Sequence, residues 1–333
     1  MHSLTSTTNK VYMEEQKKPE YSPRLISLAK NISCNFVDAR TTTKDYVRML
    51  VENNDYDNRE LLSNEFILST CLRYEIYNFN GQHKYEKSFL YTEGITCIRR
   101  LLSILVGIQS EILGEREILT QVTQSIKHSY DKGCLEGITF QGLQDLISVS
   151  ESIRESCGVN SGENYSTIAA DLFIDRLSEY HGVSIAIVGG GYMADKFFNS
   201  LLKTKLLNIE KIYWINRSTS KLESYITELT HLLDFEIKVF DLETGKFVLK
   251  EANAIFCALS KSPHYYSGDD YKDGTFVVDV SYPQVFAEKE GSEIVTISNT
   301  YFSNLIKEPV AKNSIALANR KIDEMTIFLE KNI

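Results

Sequence analysis

Paired cysteines, long apolar runs and an excess of positive charge are all lacking from this sequence. The 333 residues include six cysteines, none in a Cys-x-x-Cys pair, which argues against a zinc site and against a disulfide framework. No apolar run approaches the roughly 20 residues that a membrane-spanning helix needs. The polar first 19 residues do not have the apolar core of a secretory signal. These absences predict a cytoplasmic protein without a membrane segment.

The net charge of −9 counts against a protein that coats nucleic acid without specificity, because phosphate binding draws on clustered lysine and arginine. This balance does not exclude a local basic patch, so a role with nucleic acid must rest on other features. The 43% content of hydrophobic residues is ordinary for a globular chain. At roughly 150 residues per domain, the length predicts about two domains.

Two different patterns divide the chain near residue 160. The first part alternates predicted strands with helical stretches, including a helix at residues 44–52 and a long stretch at 121–156 broken near Gly133 and Gly137, which indicates an α+β domain. Beyond Val183, short apolar strands alternate with helices, as in a parallel sheet with crossover helices. We therefore predict an α/β protein with a tail at residues 1–28, an α+β catalytic domain at 29–160, a Rossmann-type domain at 161–310 and a final helix at 311–333.

A glycine-rich segment follows the apolar strand at residues 185–188 and opens a predicted helix. Its pattern, G-x-G-x-x-A, is carried by Gly189, Gly190, Gly191, Tyr192, Met193 and Ala194. Between a strand and a helix, such glycines permit a tight turn and close approach of the backbone to a pyrophosphate, and the helix N-terminus supplies oriented N–H groups. The segment therefore predicts a dinucleotide site, the alternative being a glycine turn between two packed elements.

The end of the next predicted strand indicates which dinucleotide binds. It carries Asn216, Arg217 and Ser218, where an NAD-specific site usually has an acidic residue for the ribose 2′-hydroxyl. An arginine instead accommodates a 2′-phosphate, so the sequence predicts NADPH as the cofactor. The alternative is an arginine that only contacts solvent.

Cys71 lies directly after a predicted apolar strand and two residues before Arg73. Positive charge near a thiol stabilises the thiolate, which is the nucleophilic form. Local chemistry alone still favours a structural cysteine at a strand end over a catalytic one.

The segment S-T-C-L-R-Y-E-I-Y around Cys71 resembles the S-T-C-N-R-x-E-I-Y motif of glutamyl-tRNA reductases. Further matches keep the family's order from about residue 32 to residue 320. They comprise Ile98 to Val122, Ile153 to Gly158, Ser166 to Ala170, the glycine motif, Asn216 to Ser218, Ser262 to His264, and Val278 to Pro283.

The resemblance implies NADPH-dependent reduction of glutamyl-tRNA to glutamate-1-semialdehyde, a precursor of tetrapyrroles such as porphyrins. Cys71 would attack the ester that joins glutamate to its tRNA, and NADPH would reduce the resulting thioester. Glutamyl-tRNA is then a partner, and a downstream semialdehyde aminomutase is a second one that the resemblance suggests. Family roles in substrate binding carry over to Ser69, Thr70, Arg73, Arg100, Glu115 and Gln121.

Several family positions are changed, and they keep two alternatives open. Leu72 replaces an asparagine, Arg100 replaces a histidine, Arg116-Glu117 replaces Pro-Gln, and a second histidine is missing near Asp38. The chain is therefore also compatible with a divergent paralogue that reduces another aminoacyl or acyl group. It is further compatible with a non-catalytic protein that binds NADPH or tRNA.

Arg100 cannot act as a general acid or base, because arginine does not exchange its proton near neutral pH. We expect it either to lower the pKa of the Cys71 thiol, to bind a substrate carboxylate or phosphate, or to face solvent beside Arg99. We also expect reduction of glutamyl-tRNA to be slower than in a typical family member, or to be replaced by another acyl substrate.

The final helix at residues 311–333 matches only the start of the family's connecting helix, so the seam of the family's dimer is predicted to be missing. Its apolar stripe must still be covered. We expect the helix to fold back on its own chain or to pair weakly.

Overall fold

Two β-sheets, one antiparallel and one parallel, organise the part of the chain that the structure describes. This computed structural model describes residues 21–43, 46–47, 49–50, 63–70, 72–79, 89–229, 233–259, 266–281, 284–297, 301–305 and 310–333. Most of the predicted tail and of the predicted helix at residues 44–52 lies outside these ranges. None of the helices within them is long and apolar enough to cross a membrane.

The antiparallel sheet has the strand order β2-β3-β1-β4. Its strands are β1 (Ser33–Asp38), β2 (Glu65–Thr70), β3 (Arg73–Asn78) and β4 (Leu90–Glu93). β2 and β3 are separated by only two residues, 71 and 72, and form a tight hairpin in which Thr70 pairs with Arg73. The hairpin therefore brings the start of β3 back beside the end of β2.

This sheet is accompanied by helices α1 (Pro23–Asn31), α2 (Gly94–Val106), α3 (Glu117–Asp131) and α4 (Gly137–Cys157). The break that the sequence predicted near Gly133 and Gly137 separates α3 from α4, as expected. Residues 23–28 were predicted to belong to the tail, but they form most of α1. Ser22 caps this helix, Pro23 suits its first turn, and Leu25 and Leu28 are buried.

The buried side chain of Arg154 on α4 fixes the connection between α2 and α3. Its Nη1 donates to the carbonyl oxygens of Leu105 (3.4 Å) and Val106 (2.8 Å). Its Nη2 donates to those of Gly114 (2.6 Å) and Glu115 (3.0 Å). Because these carbonyls lie at both ends of the connection, a single guanidinium holds the loop closed.

The parallel sheet has the strand order β10-β9-β8-β5-β6-β7. Its strands are β5 (Val183–Val188), β6 (Ile209–Ile215), β7 (Glu236–Phe240), β8 (Ala254–Cys257), β9 (Phe276–Asp279) and β10 (Glu293–Thr296). The strand order reverses between β5 and β8. In doubly wound sheets, the crevice at the carboxyl ends of two such strands is where dinucleotides bind.

Helices α5 (Tyr165–Leu177), α6 (Tyr192–Thr204), α7 (Thr219–Leu229), α8 (Gly245–Val248) and α9 (Tyr301–Asn304) belong to this second domain. Asn164 caps α5 by accepting a hydrogen bond from the Thr167 backbone N–H, 2.9 Å away. Its side-chain N–H₂ also donates to Glu117 Oε1 at 2.8 Å. The residue that starts the second domain is thus bonded to the first turn of α3 in the first domain.

The final helix, α10 (Lys312–Asn332), folds back on its own chain, which was one of the two outcomes expected for it. It lies against α2 and α4 of the first domain. Buried side chains recur along one face: Ala318, Ile322, Met325 and Leu329. Lys321 donates to Ser156 of α4 at 2.8 Å, and Arg99 of α2 pairs with Asp323. The end of the chain therefore completes the core of the domain that begins it.

Candidate functional site

The register of the antiparallel sheet brings charged residues to one face. In a strand, alternate side chains point to the same face, and directly paired residues share it. Asp38 is paired with Arg73, and Phe36 is paired with Glu75. Thr70 is also paired with Arg73. Hence Asp38, Thr70, Arg73 and Glu75 share one face.

Arg100 of α2 extends towards this face and binds two carboxylates. Its Nη2 lies 2.6 Å from Asp38 Oδ2 and 2.7 Å from Glu75 Oε1. Its Nε donates to Glu75 Oε2 at 3.3 Å, and its guanidinium carbon lies 3.5 Å from the centre of the Phe36 ring. We refer to Asp38, Arg73, Glu75 and Arg100 as the buried ionic cluster.

The side chain of Arg100 is only 12% exposed. The alternative in which Arg100 faces solvent beside Arg99 is therefore wrong. Although burial acts to lower the pKa of Arg100, the Glu75 carboxylate raises it above its ordinary value. Burial acts to raise the pKa of Asp38, but its hydrogen bond to Arg100 lowers it. With two carboxylates and two guanidiniums, the cluster is neutral overall. The charge of Arg100 is therefore largely offset by its two carboxylate partners.

Arg73 is buried, and its Nη2 donates to the Gln109 carbonyl at 2.8 Å. Its Nη1 lies 3.5 Å from Glu75 Oε1. Thr70 is buried on the same face, and its hydroxyl oxygen accepts a hydrogen bond from the Leu72 N–H at 3.2 Å. Cys71, the predicted nucleophile, lies outside the described residues.

The remaining predicted substrate residues occupy different places. Ser69 alternates with Thr70 along β2 and is paired with Tyr74, so its side chain points to the opposite face of the sheet. Gln121 is exposed on α3. Arg100 and Glu115, like Arg73 and Thr70, are largely enclosed. The structure thus brings Thr70, Arg73 and Arg100 together and does not bring Ser69 to their face.

Glu115 is a buried carboxyl group in the loop that Arg154 holds. Its Oε2 has no hydrogen-bond partner among the described residues. Burial, reinforced by the charge of Glu117, raises the pKa of Glu115 to about 8. At neutral pH this side chain is therefore mostly protonated and can donate a hydrogen bond.

This pKa predicts a pH dependence of stability. A carboxyl group whose pKa is raised in the folded state stabilises the fold below its unfolded pKa, and this contribution is lost as the pH rises through about 8. The free energy of unfolding of the wild type should fall by an amount on the order of a few kcal/mol between about pH 5 and pH 8, and Glu115→Gln should remove this fall. Urea unfolding at pH 5.5, 7 and 8.5 measures it, with exposed Glu155→Gln as the control. Parallel pH profiles for wild type and Glu115→Gln would contradict this prediction.

The glycine-rich segment forms a tight turn between β5 and α6, as predicted. Gly189 has φ +120°, and a Cβ there would overlap the carbonyl oxygen of Ala258 after β8. Its own carbonyl accepts a hydrogen bond from the indole N–H of Trp214 at 2.7 Å. At Gly190, a Cβ would overlap the side chain of Asn216. Gly189 is therefore required by the protein's own backbone packing, whereas a side chain at Gly190 would displace that of Asn216.

Gly191 differs from these two, because a Cβ there would meet no protein atom within 4 Å. It caps the N-terminus of α6, where Tyr192 is exposed and Ala194 is buried. The carbonyl of Met193 accepts a hydrogen bond from Ser166 at 2.8 Å, which anchors the first turn of the helix to α5. The open space beside Gly191 and the free helix end fit the pyrophosphate of a dinucleotide.

The end of β6 is also compatible with NADPH. Asn216 donates to the Ser218 carbonyl at 3.1 Å, which shapes the turn, and both Arg217 and Ser218 are exposed. Within the described part of the chain, Arg217 has no ion-pair partner. The turn thus presents a cation that is free to bind a 2′-phosphate.

The contrast between the glycines yields a second prediction. Gly191→Ala should leave the free energy of unfolding within about 1 kcal/mol of wild type, because its Cβ meets only open space. It should nevertheless weaken NADPH binding at least tenfold, because the methyl group occupies the space of the pyrophosphate. Gly189→Ala, in contrast, should destabilise the fold itself. Titration with NADPH and urea unfolding separate the two effects, and unchanged binding by Gly191→Ala would contradict the assignment.

Sequence reasoning missed Glu75, Arg154 and Asp279 as residues that shape the site. Asp279, at the end of β9, accepts hydrogen bonds from the backbone N–H groups of Ser281, Val285 and Phe286. For Glu75 a signal was present, since Arg73, Glu75 and Tyr77 are polar groups at alternate positions of a strand that is buried throughout. Such a pattern indicates a polar network on one face.

Comparison with known proteins shows what this chain is similar to. Residues 30–157 match the model of the glutamyl-tRNAGlu reductase N-terminal domain. A glutamyl-tRNA reductase of Thermus thermophilus is 25% identical over 283 residues, which cover 80% of this chain and 68% of that protein. One from Pyrobaculum aerophilum is 23% identical over 297 residues, or 80% of this chain and 72% of that protein. A solved glutamyl-tRNA reductase structure from Methanopyrus kandleri, 18% identical, covers 91% of this chain and 80% of its own with a TM-score of 0.45.

The fold and the site define a two-domain protein in which a nucleotide-binding domain of the Rossmann type follows an α+β domain with a buried ionic cluster. The sequence motifs and the match of the first domain specify it further: residues 30–157 are similar to the N-terminal domain of glutamyl-tRNA reductases, and the chain is similar to members of that family.

Proposed function

We propose that this chain is an NADPH-dependent oxidoreductase that converts glutamyl-tRNA to glutamate-1-semialdehyde through a thioester on Cys71. The observation that supports this most is the β2–β3 hairpin. Thr70 and Arg73 form a cross-strand pair on either side of the two-residue connection that contains Cys71 in the sequence. An acyl group on that thiol would have a hydroxyl one residue before it and a guanidinium two residues after it along the chain.

Each of these residues has a role in the proposed reaction. The Cys71 thiolate attacks the ester carbonyl of glutamyl-tRNA, the carbon–sulfur bond forms, and the ribose oxygen of the tRNA leaves and takes up a proton. Arg73 binds the side-chain carboxylate of the glutamyl group, which a guanidinium can hold through two parallel hydrogen bonds. Glu115, protonated at neutral pH, is a hydrogen-bond donor in the adjacent loop.

NADPH would supply the hydride to the thioester carbonyl; the carbon–sulfur bond then breaks, which releases the aldehyde and returns the Cys71 thiolate. Gly191 and the N-terminus of α6 would hold its pyrophosphate, and Arg217 with Ser218 would bind its 2′-phosphate. The product is a reactive amino aldehyde, so a semialdehyde aminomutase that takes it up directly is a fitting downstream partner.

The third prediction tests the cofactor preference. Arg217→Ala should weaken NADPH binding roughly ten- to hundredfold, because a charged hydrogen bond contributes about 1.5–3 kcal/mol. Binding of NADH, which has no 2′-phosphate, should change less than threefold. Fluorescence titration of both cofactors measures this. Equal losses for the two cofactors would mean that Arg217 does not contact the 2′-phosphate.

The function itself is tested by incubating the protein with glutamyl-tRNA and NADPH and trapping the aldehyde with a hydrazine reagent. The offset charge of Arg100 favours one alternative, a change of acyl substrate, because a family histidine has become part of an internal ion network. The assay therefore includes tRNAs charged with aspartate and glutamine. Aldehyde from one of these alone would support the divergent paralogue, and binding of NADPH without any aldehyde would support a non-catalytic role.

A further inference from the structure

Glu75 is the shared member of the buried ionic cluster, since it faces both arginines. Its Oε1 lies 2.7 Å from Nη2 of Arg100 and 3.5 Å from Nη1 of Arg73. Its Oε2 accepts hydrogen bonds from the Tyr77 hydroxyl at 2.6 Å and from Arg100 Nε at 3.3 Å. The carboxylate is fully enclosed, so water cannot replace any of these partners.

The two arginines therefore compete for one carboxylate, and Arg100 has the stronger hold. Arg100 makes two contacts to Glu75, while Arg73 makes one contact at the limit of a hydrogen bond. Arg100 is also fixed by Asp38 and by the face of Phe36. Arg73 is thereby left loosely bound to Glu75.

We propose that Arg100 is a positioning residue that keeps Glu75 away from Arg73, so that Nη1 of Arg73 is available to bind the carboxylate of the substrate while its Nη2 stays bonded to the Gln109 carbonyl. This inference rests on the proposed function, in which Arg73 recognises the glutamyl side chain. It replaces the direct contact with substrate that the sequence suggested for Arg100.

The loss of Arg100 would affect Glu75 more than Asp38. Asp38 has other partners, because its Oδ1 accepts hydrogen bonds from the backbone N–H groups of Arg40 and Thr41, each at 3.0 Å. Glu75 would keep two neutral donors, the Tyr77 hydroxyl and the Cys34 thiol 4.0 Å from its Oε2, and Arg73 as its single cation among the described residues. An enclosed carboxylate without a cation is strongly unfavourable, so Glu75 would close on Arg73 and form a tight pair.

A cycle of kinetic measurements distinguishes this indirect role from direct contact. Arg100→Gln should raise the KM for glutamyl-tRNA at least tenfold and change kcat less than threefold, because the substrate must now compete with Glu75. In a Glu75→Gln background, the same substitution should change KM less than threefold. Arg99→Gln, one residue earlier on α2 and paired with Asp323 at the surface, is the matched control and should leave KM unchanged. An equal rise in KM in both backgrounds would overturn the proposal and show that Arg100 binds the substrate itself.

A second cycle uses only unfolding and does not depend on activity. Urea unfolding of the single and double variants Arg73→Gln and Glu75→Gln gives the coupling between these two residues. Expressed as a factor in the unfolding equilibrium constant, this coupling should become at least tenfold larger when Arg100 is replaced by glutamine. Arg100→Lys, which keeps the charge but has no planar fork, serves the same cycle if Arg100→Gln does not fold. Stronger coupling without any aldehyde from the wild type would refute the proposed function and support the positioning role. Unchanged coupling in an active enzyme would refute the positioning role alone.

Discussion

Replacing Cys71 with serine is expected to abolish aldehyde formation from glutamyl-tRNA, with a loss of at least ~10³-fold. A cysteine thiol is intrinsically far more nucleophilic than a serine hydroxyl, which stays protonated without a dedicated base. Arg100 cannot serve as that base, because it carries a fixed charge that is bound to two carboxylates. NADPH oxidation and aldehyde trapping measure the loss.

The matched control is Cys134→Ser, because Cys134 is a half-buried thiol in the connection between α3 and α4. It should retain nearly full activity. Labelled glutamyl-tRNA without NADPH separates the two half-reactions: the label should become attached to the wild type and to Cys134→Ser, but not to Cys71→Ser. Full turnover by the serine variant would rule out the thioester route.

Features encoded within a short stretch of sequence were predicted well. The glycine segment lies between β5 and α6 because its three glycines follow an apolar strand and precede an amphipathic helix. The break between α3 and α4 was predicted because Gly133 and Gly137 interrupt an otherwise helical pattern. Helix α1 was missed, because its nine residues offer only a short apolar stripe after a polar tail.

Features that depend on distant partners could not be predicted. The partners of Arg100 follow from the pairing of β1 with β3, which brings Asp38 and Glu75 to one face, and from the placement of α2 beside that face. Nothing near residue 100 in the sequence specifies either relation. Arg154 is similar, since its four acceptors lie about 40 to 50 residues earlier in the chain. In both cases the sequence identifies a charged side chain, and only the fold decides what it binds.

The largest expected effect on stability is at the final helix. Met325 is fully buried where α10 packs against the first domain, so Met325→Ala should reduce the free energy of unfolding by about 2–5 kcal/mol. Ile327, two residues further along the same helix, is 48% exposed. Ile327→Ala removes a side chain of similar size from the solvent-facing side and should cost less than about 0.5 kcal/mol. Urea unfolding followed by far-ultraviolet circular dichroism compares the two variants.

The fluorescence of a single tryptophan can show which of the two domains Met325→Ala destabilises. Trp214 is the single tryptophan of the sequence, and it is buried in β6 of the nucleotide-binding domain. Because α10 belongs to the core of the first domain, Met325→Ala should shift the circular dichroism transition more than the transition seen by tryptophan fluorescence. Equal costs for Met325→Ala and Ile327→Ala would mean that α10 does not stabilise the first domain.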